Sequence, residues 1–236
     1  MEAMGFSNIG LIRSRNEDTY LIKKEAGLFV VCDGMGGHKG GDVAARLAVE
    51  VIDRTIQNNQ TGDTLKSLNQ AIKLANRVIL KQSKDNHNWN NMGTTITAAI
   101  INEKGLSIGH VGDSSLFVIR HNNIKKLTRD HTLAEKMVKE GLLEHEEVQN
   151  SSYSHVLTRA VGLDDNIKID NYQAETCPGD YIIICSDGLT DMLNEEEILA
   201  PVLSANGNLE IAGNKLMTDA LNKGGYDNIT FILVRI

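Results

Sequence analysis

No apolar run in this 236-residue chain approaches the roughly 20 residues that a membrane-spanning helix requires, and Met1 to Ile12 lacks the basic start and apolar block of a secretory leader. A cytoplasmic protein with no membrane partner is expected. Basic residues are in deficit, 24 Lys and Arg against 31 Asp and Glu for a net charge of −7, so no broad footprint for nucleic acid exists and none is expected as a partner. The three cysteines are an odd number and make no disulfide framework. Cys32 and Cys185 fall inside apolar strands, Cys177 precedes the turn Pro178-Gly179, and none has an arginine six positions later, as a thiol-nucleophile phosphate loop needs. Also missing are Cys/His clusters at zinc spacing, internal repeats and low-complexity linkers. The length suits a single domain over residues 1–236.

What is present is a recurring arrangement. Leu28-Phe29-Val30-Val31-Cys32 reads as a buried strand stopped at Asp33, followed by the glycine-rich run Gly34 to Gly41 with His38 inside it. Glycine lets the backbone pass close to whatever the acid holds. A lone Asp-Gly after a strand is ordinarily a plain turn. Here, however, Tyr181 to Cys185 is a second apolar strand leading to Asp187-Gly188, and Ile108 to Val111 is a third leading to Asp113.

The remaining chain reads as scaffold around these strand ends. Asp42 can cap a helix to about Ile56 with Val43, Leu47, Val51 and Ile52 inward, and Leu65, Leu68, Ile72, Ala75 and Ile79 mark the buried face of a second. Asp85 to Asn91 reads as a polar loop. Gly93 to Ile101, Gly105 to Val111 and Ser115 to Arg120 read as strands with short connections, hence antiparallel. Residues 128–162 are helical, charged and then polar, which suggests a lid-like insertion. Asn194 with Glu197 makes a capping box, and a last helix carrying Leu209, Ala212, Leu216 and Ala220 inward stops at Gly224-Gly225 before Asp227 and the strand Ile229 to Val234. The pattern supports an α+β fold and suggests two antiparallel sheets packed face to face under helices.

Asp18, Asp33, Asp113, Asp187 and Asp227 all stand at element ends or turns that can meet at one edge of such a sandwich. Gathered carboxylates stay ionised near neutral pH only with cations among them, and an oxygen-only ligand set suits Mg²⁺ or Mn²⁺. Two such ions activate a bridging water and hold a phosphoryl group. Arg13, beside Arg15, Glu17 and Asp18, can clamp phosphate bidentately, and His38 is the candidate to protonate a leaving oxygen. The residues by themselves point to hydrolysis or transfer at phosphate.

Arg13-Ser14-Arg15-Asn16-Glu17-Asp18, Val31-Cys32-Asp33-Gly34-Met35-Gly36-Gly37-His38, Gly93-Thr94-Thr95, Gly109-His110-Val111-Gly112-Asp113-Ser114, Leu127-Thr128-Arg129-Asp130-His131, Leu157-Thr158-Arg159-Ala160-Val161-Gly162, Ser186-Asp187-Gly188 and Gly225-Tyr226-Asp227-Asn228-Ile229-Thr230 stand in the order typical of one family. From about Ser7 onward the chain resembles bacterial metal-dependent protein phosphatases, the PPM or type-2C family. The resemblance implies a sandwich of two antiparallel β-sheets flanked on both sides by α-helices, with the metals in a cleft at one end. It implies that Asp33 bridges two Mn²⁺ or Mg²⁺ ions, that the Gly34 carbonyl helps hold one, and that Asp187 and Asp227 hold the other. Asp18 would act through metal-bound water, Glu17 and Asn228 would support the ligands, and a third, weaker metal would use Asp113 and Asp187.

By the same resemblance Arg13 matches the phosphate-binding arginine and His38 the general acid. The substrates would be phosphoserine and phosphothreonine proteins, in opposition to a bacterial Ser/Thr kinase, and the chain is expected to be a monomer. Two departures stand out. Ser151, Ser152 and His155 occupy the positions of the His, Pro and Asn in the family's usual His-Pro-x-x-Asn, which bears on the lid residues Tyr153 and His155, and Tyr226 replaces a smaller or basic residue. A catalytically inactive phosphoprotein-binding relative, a two-metal nuclease and a small-molecule phosphatase remain the alternatives.

Overall fold

The computed structural model describes residues 1–36, 40–58, 62–148 and 151–236. In chain order the strands are β1 (Glu2–Asn8), β2 (Asp18–Lys23), β3 (Leu28–Met35), β4 (Gly93–Thr94), β5 (Ile96–Asn102), β6 (Gly105–Val111), β7 (Ser115–Arg120), β8 (Asn123–Lys126), β9 (Asp170–Ala174), β10 (Tyr181–Cys185) and β11 (Ile229–Arg235). The helices are α1 (Gly41–Asn58), α2 (Thr64–Asp85), α3 (Leu133–Lys139), α4 (Asp187–Thr190), α5 (Glu195–Ser204) and α6 (Leu209–Asn222).

Two antiparallel sheets result, one ordered β1-β11-β10-β7-β8 and the other β2-β3-β5-β6-β9, with β4 added to β3. Both faces of each sheet are covered, which explains why the central strands are apolar throughout instead of alternating. Along β3, Leu28, Val30 and Cys32 pack under α1 and α2, while Phe29 and Val31 face the other sheet. Along β10, Ile182 and Ile184 lie between the sheets, and Ile183 and Cys185 lie under α5 and α6. The architecture is the expected α/β/β/α sandwich. Among the described residues no helix is long and apolar enough to cross a membrane.

Several elements differ from the sequence reading. In α1 the fully buried side is made by Ala44, Ala45, Ala48, Val49 and Ile52, whereas Val43, Leu47 and Val51 are only partly covered. Small side chains let this helix lie close to the sheet. The first residues form β1, an outer strand paired with β11 from Glu2↔Arg235 to Asn8↔Ile229; its burial alternates irregularly, and two of its residues are Gly5 and Ser7. β8 and β9, short and polar on one face, were equally hard to read. Asp85 to Asn91 contains a one-turn 3₁₀ helix, His87–Trp89. Among the described residues of the charged segment 128–162, only α3 and the turn His145–Glu147 are helical. Its two ends are tied down through the bridges Thr132↔Leu157 and Thr94↔Val161, with Val161 buried in the α1/α2 core.

Candidate active site

Asp33 does not end its strand. β3 continues to Met35 by changing partner: Val31 still pairs with Thr97 of β5, whereas Gly34 and Met35 pair with Thr94 and Gly93 of β4. Thr95, between those two strands, holds the switch. Its N–H donates to the Asp33 carbonyl at 2.8 Å and its Oγ1 accepts from the Asp33 N–H at 2.9 Å. On the other side β2 brings Asp18 directly opposite Asp33 in the register. Gly34 is then pressed between chain segments, and a Cβ there would stand 2.2 Å from the Gly41 carbonyl and 2.6 Å from that of Glu17. Only glycine fits.

The other acids arrive from separate elements. Asp113 sits in the β6–β7 turn, only 8% exposed. Asp187 is the first residue of α4, directly after β10, and Asp227 precedes β11. Asp33, Asp113, Asp187 and Asp227 line one cleft of about 1010 Å³ together with Arg13, Glu17, Gly34 and His155. Asp18 lies beneath it; its Oδ2 accepts from Ser186 Oγ at 2.8 Å, and its Oδ1 is shut off from solvent without a hydrogen bond. Asp187 Oδ1 is in the same position.

These carboxyls hold one another's protons on. Burial, then the charges of Asp18, Asp187 and Asp113, pushes Asp33 well above the ordinary carboxylate range. Burial, then Asp187 and Asp130, does the same to Asp113, and burial pushes Asp187 up although a hydrogen bond shared with Asp33 works against it. Asp18 rises to about 8, chiefly through burial, against the hydrogen bonds of Ser186 and Thr230 that favour its anion. At neutral pH this cluster ionises only if positive charge enters it. Carboxylates and the Gly34 carbonyl are hard oxygen donors, and the two buried oxygens without partners are what such a cation satisfies. The residues therefore fit a hard divalent metal.

Around the cluster the chain supplies positioning. Arg13 Nη2 donates to Asp227 Oδ2 at 2.6 Å, an ion pair at the cleft rim. The Asn228 amide is committed to backbone: its Oδ1 accepts from Glu17 N–H at 2.8 Å, and its Nδ2 donates to the carbonyls of Ile9 and Arg15, each at 2.9 Å. It fastens the loop that carries Arg13. The Glu17 carboxyl is raised by burial and by Asp42. Tyr153 is exposed and stands outside the cleft lining, whereas Tyr226 is part of it. His38 lies outside the described residues.

Two further acids line the cleft, Asp130 and Asp191, which the sequence reading did not single out. Asp191 was within reach of it, since it follows Asp187 by four residues across the single turn of α4. Asp130 carries no such spacing signal.

The profile of the protein phosphatase 2C family matches residues 13–223. The serine/threonine phosphatase stp of Listeria welshimeri is 32% identical over 232 residues, covering 95% of this chain and 92% of that protein. The crystal structure of the Mycobacterium tuberculosis serine/threonine phosphatase PstP/Ppp superimposes with a TM-score of 0.92 at 29% identity, covering 100% of this chain and 98% of the other. The catalytic domain of the serine threonine protein phosphatase PstP, solved in complex with two manganese ions, gives a TM-score of 0.88 at 30% identity, covering 98% and 96%.

Proposed function

The chain belongs to the protein phosphatase 2C family, and from that membership and the acidic cleft we propose that it hydrolyses phosphoserine and phosphothreonine in proteins with the help of two Mn²⁺ or Mg²⁺ ions. The observation that carries this reading is the convergence of Asp33, Asp113, Asp187 and Asp227, from four separate parts of the chain, on one cleft with Arg13 at its rim. Asp33, the Gly34 carbonyl, Asp187 and Asp227 hold the catalytic cations, with Asp18 behind them, and Asp113 with Asp187 offers a further place. Bound there, divalent ions supply a hydroxide-like nucleophile at neutral pH and neutralise phosphate charge.

The protein's own groups do the rest. Arg13, held toward the cleft by Asp227, presents a planar fork that matches two phosphate oxygens. Asn228 keeps the Arg13 loop in register with the acids through its three backbone hydrogen bonds. His38 gives the proton that lets the serine or threonine oxygen leave as a hydroxyl. Residues 128–162 act as a lid over protein substrates within a single domain that works as a monomer and opposes a Ser/Thr kinase. The test is phosphate release from a phosphothreonine peptide with and without Mn²⁺. Metal-dependent release is expected, and its absence at saturating metal would overturn the reading.

A further inference from the structure

Large apolar side chains scattered singly over a surface are ordinary, but a contiguous group held in place beside a cleft is not. Leu11, Ile12 and Tyr226 are 64%, 68% and 62% exposed. Ile12 directly precedes Arg13 and Tyr226 directly precedes Asp227, so each partner of the 2.6 Å ion pair at the cleft rim has a large apolar neighbour in the chain. The two loops are joined, since the Leu11 N–H donates to the Gly225 carbonyl at 2.8 Å. Gly224 and Gly225 form a bare floor between them. A Cβ at Gly224 would stand 2.5, 2.8 and 2.9 Å from three atoms of the Tyr226 ring, and one at Gly225 would stand 3.4 Å from Leu11 Cγ, so both side chains lie against the same pair of glycines. Asn228 ties down the backbone at Ile9 and at Arg15, on either side of Leu11 and Ile12. This apolar surface is therefore exposed and fixed at once, and Tyr226 carries it into the cleft lining.

We propose, resting on the phosphatase reading, that Leu11, Ile12 and Tyr226 form a shelf that receives a large apolar side chain beside the phosphorylated residue, so that the enzyme selects phosphoserine and phosphothreonine sites flanked by an aliphatic or aromatic residue. Consecutive residues of an extended peptide are about 3.8 Å apart, so a residue one or two places from a phosphate clamped by Arg13 comes over the side chains that adjoin the clamp. Leu11 and Ile12 carry no hydrogen-bonding group and reward only apolar contact. Tyr226 adds the area of a ring that already rests on Gly224, so little freedom is lost when a substrate packs against it. The smaller or basic residue usual at this position would supply neither the area nor the apolar character.

Paired phosphothreonine peptides that differ only in carrying leucine or serine at the flanking positions, on one side or the other, test this in saturating Mn²⁺. The wild type should favour a leucine peptide on the order of tenfold in kcat/KM, the lower end of what apolar contacts discriminate in closed pockets. The gain should appear in KM, because the shelf touches the substrate alike before and during reaction. The double variant L11S/Y226A should bring the ratio to parity, and Y226F should retain it, since the ring and not the hydroxyl makes the contact. A ratio taken within one variant does not depend on how much of it is folded or loaded with metal. Parity in the wild type on both sides, or a preference that L11S/Y226A retains in full, would overturn the shelf and leave the phosphatase reading standing. Either of these results, joined to a wild-type dimer that the double variant dissolves in sedimentation, would give the surface to a second copy of the chain instead. Phosphate release from none of the peptides would bring down the phosphatase reading, and the shelf with it.

Discussion

At the residue scale, the acids of the cleft are costly to the fold and useful only to the site. Replacing Asp187 with Asn removes one carboxyl that folding forces to hold its proton among other acids, so the metal-free variant should unfold at a temperature equal to or above that of the metal-free wild type. Turnover should nevertheless fall on the order of 10³-fold, as several kcal/mol of metal assistance disappear at about 1.4 kcal/mol per factor of ten. Thermal denaturation in chelator and phosphate release in Mn²⁺ read the two effects separately. A variant that lost stability and kept activity would contradict the assignment. Arg13 and His38 divide by substrate. Threonine alkoxide leaves poorly without a proton and nitrophenolate leaves readily, so H38A should slow a phosphothreonine peptide on the order of 10²- to 10⁴-fold and p-nitrophenyl phosphate far less. R13A should slow both, since the clamp sees the same phosphate in each. Equal slowing of both substrates by H38A would move the proton's source elsewhere.

At the element scale, two close contacts decide where the loops and helices lie. Gly213 in α6 meets the Phe6 ring of β1, with a built Cβ only 2.0 Å from Cζ, and that ring stacks on Phe231 of β11 at 5.0 Å between centroids. Alanine normally gains about 1 kcal/mol over glycine within a helix, but overpacking costs roughly 1–3 kcal/mol. Because Phe6 is pinned by its stack, the cost wins, and G213A should lower the midpoint of urea unfolding. Asn228→Ala should remove about 1–3 kcal/mol by stranding the Glu17 N–H and two carbonyls, and should reduce kcat/KM by loosening the loop of Arg13. Adding p-nitrophenyl phosphate to saturation should recover part of the rate if the loop, and not the metals, is what moved.

The same scale shows what the chain disclosed in advance. β3, β10 and β11 were legible because burial on two faces demands an unbroken apolar run, and α2 and α6 because one-sided burial demands a 3.6-residue period. β1 was not, because Gly5 and Ser7 break its pattern and its place depends on β11, over two hundred residues away. Asp33 was found at a strand end, but the change of partner that holds it depends on Thr95, whose hydrogen bonds are long-range and leave no periodic trace. Asp33, Asp113 and Asp187 stood out as acids on or after apolar strands. Asn228 stood out only through the family resemblance, and its work on the Ile9–Glu17 backbone becomes visible in three dimensions alone.

At the scale of the whole molecule, the two ends of segment 128–162 are joined to the sheets through a buried histidine pair. His110 on β6 is fully buried, with Nδ1 at 2.9 Å from Thr97 Oγ1 and Nε2 at 3.1 Å from the Arg129 carbonyl, and its ring lies 4.8 Å from that of His131. His131 in turn meets Asp170 and Arg159. Burial, then the His131 charge, with Lys126 adding to them, lowers His110 to about 3, against the Arg129 carbonyl and Asp170, which favour the cation. The unfolded chain takes up this proton near pH 6.5 and the folded chain does not until about pH 3. Stability from His110 is therefore complete above about pH 6.5 and drains away as pH falls, at up to about 1.4 kcal/mol per pH unit for one proton. His131, lowered by burial, adds to the loss in the same direction. Replacing His110 with Gln should lower stability at pH 7 and flatten its decline between pH 6 and pH 4 by up to one proton. Taking the difference between wild type and variant cancels the opposite slope of the crowded acids, and an unchanged difference across that interval would mean that His110 keeps its proton when buried.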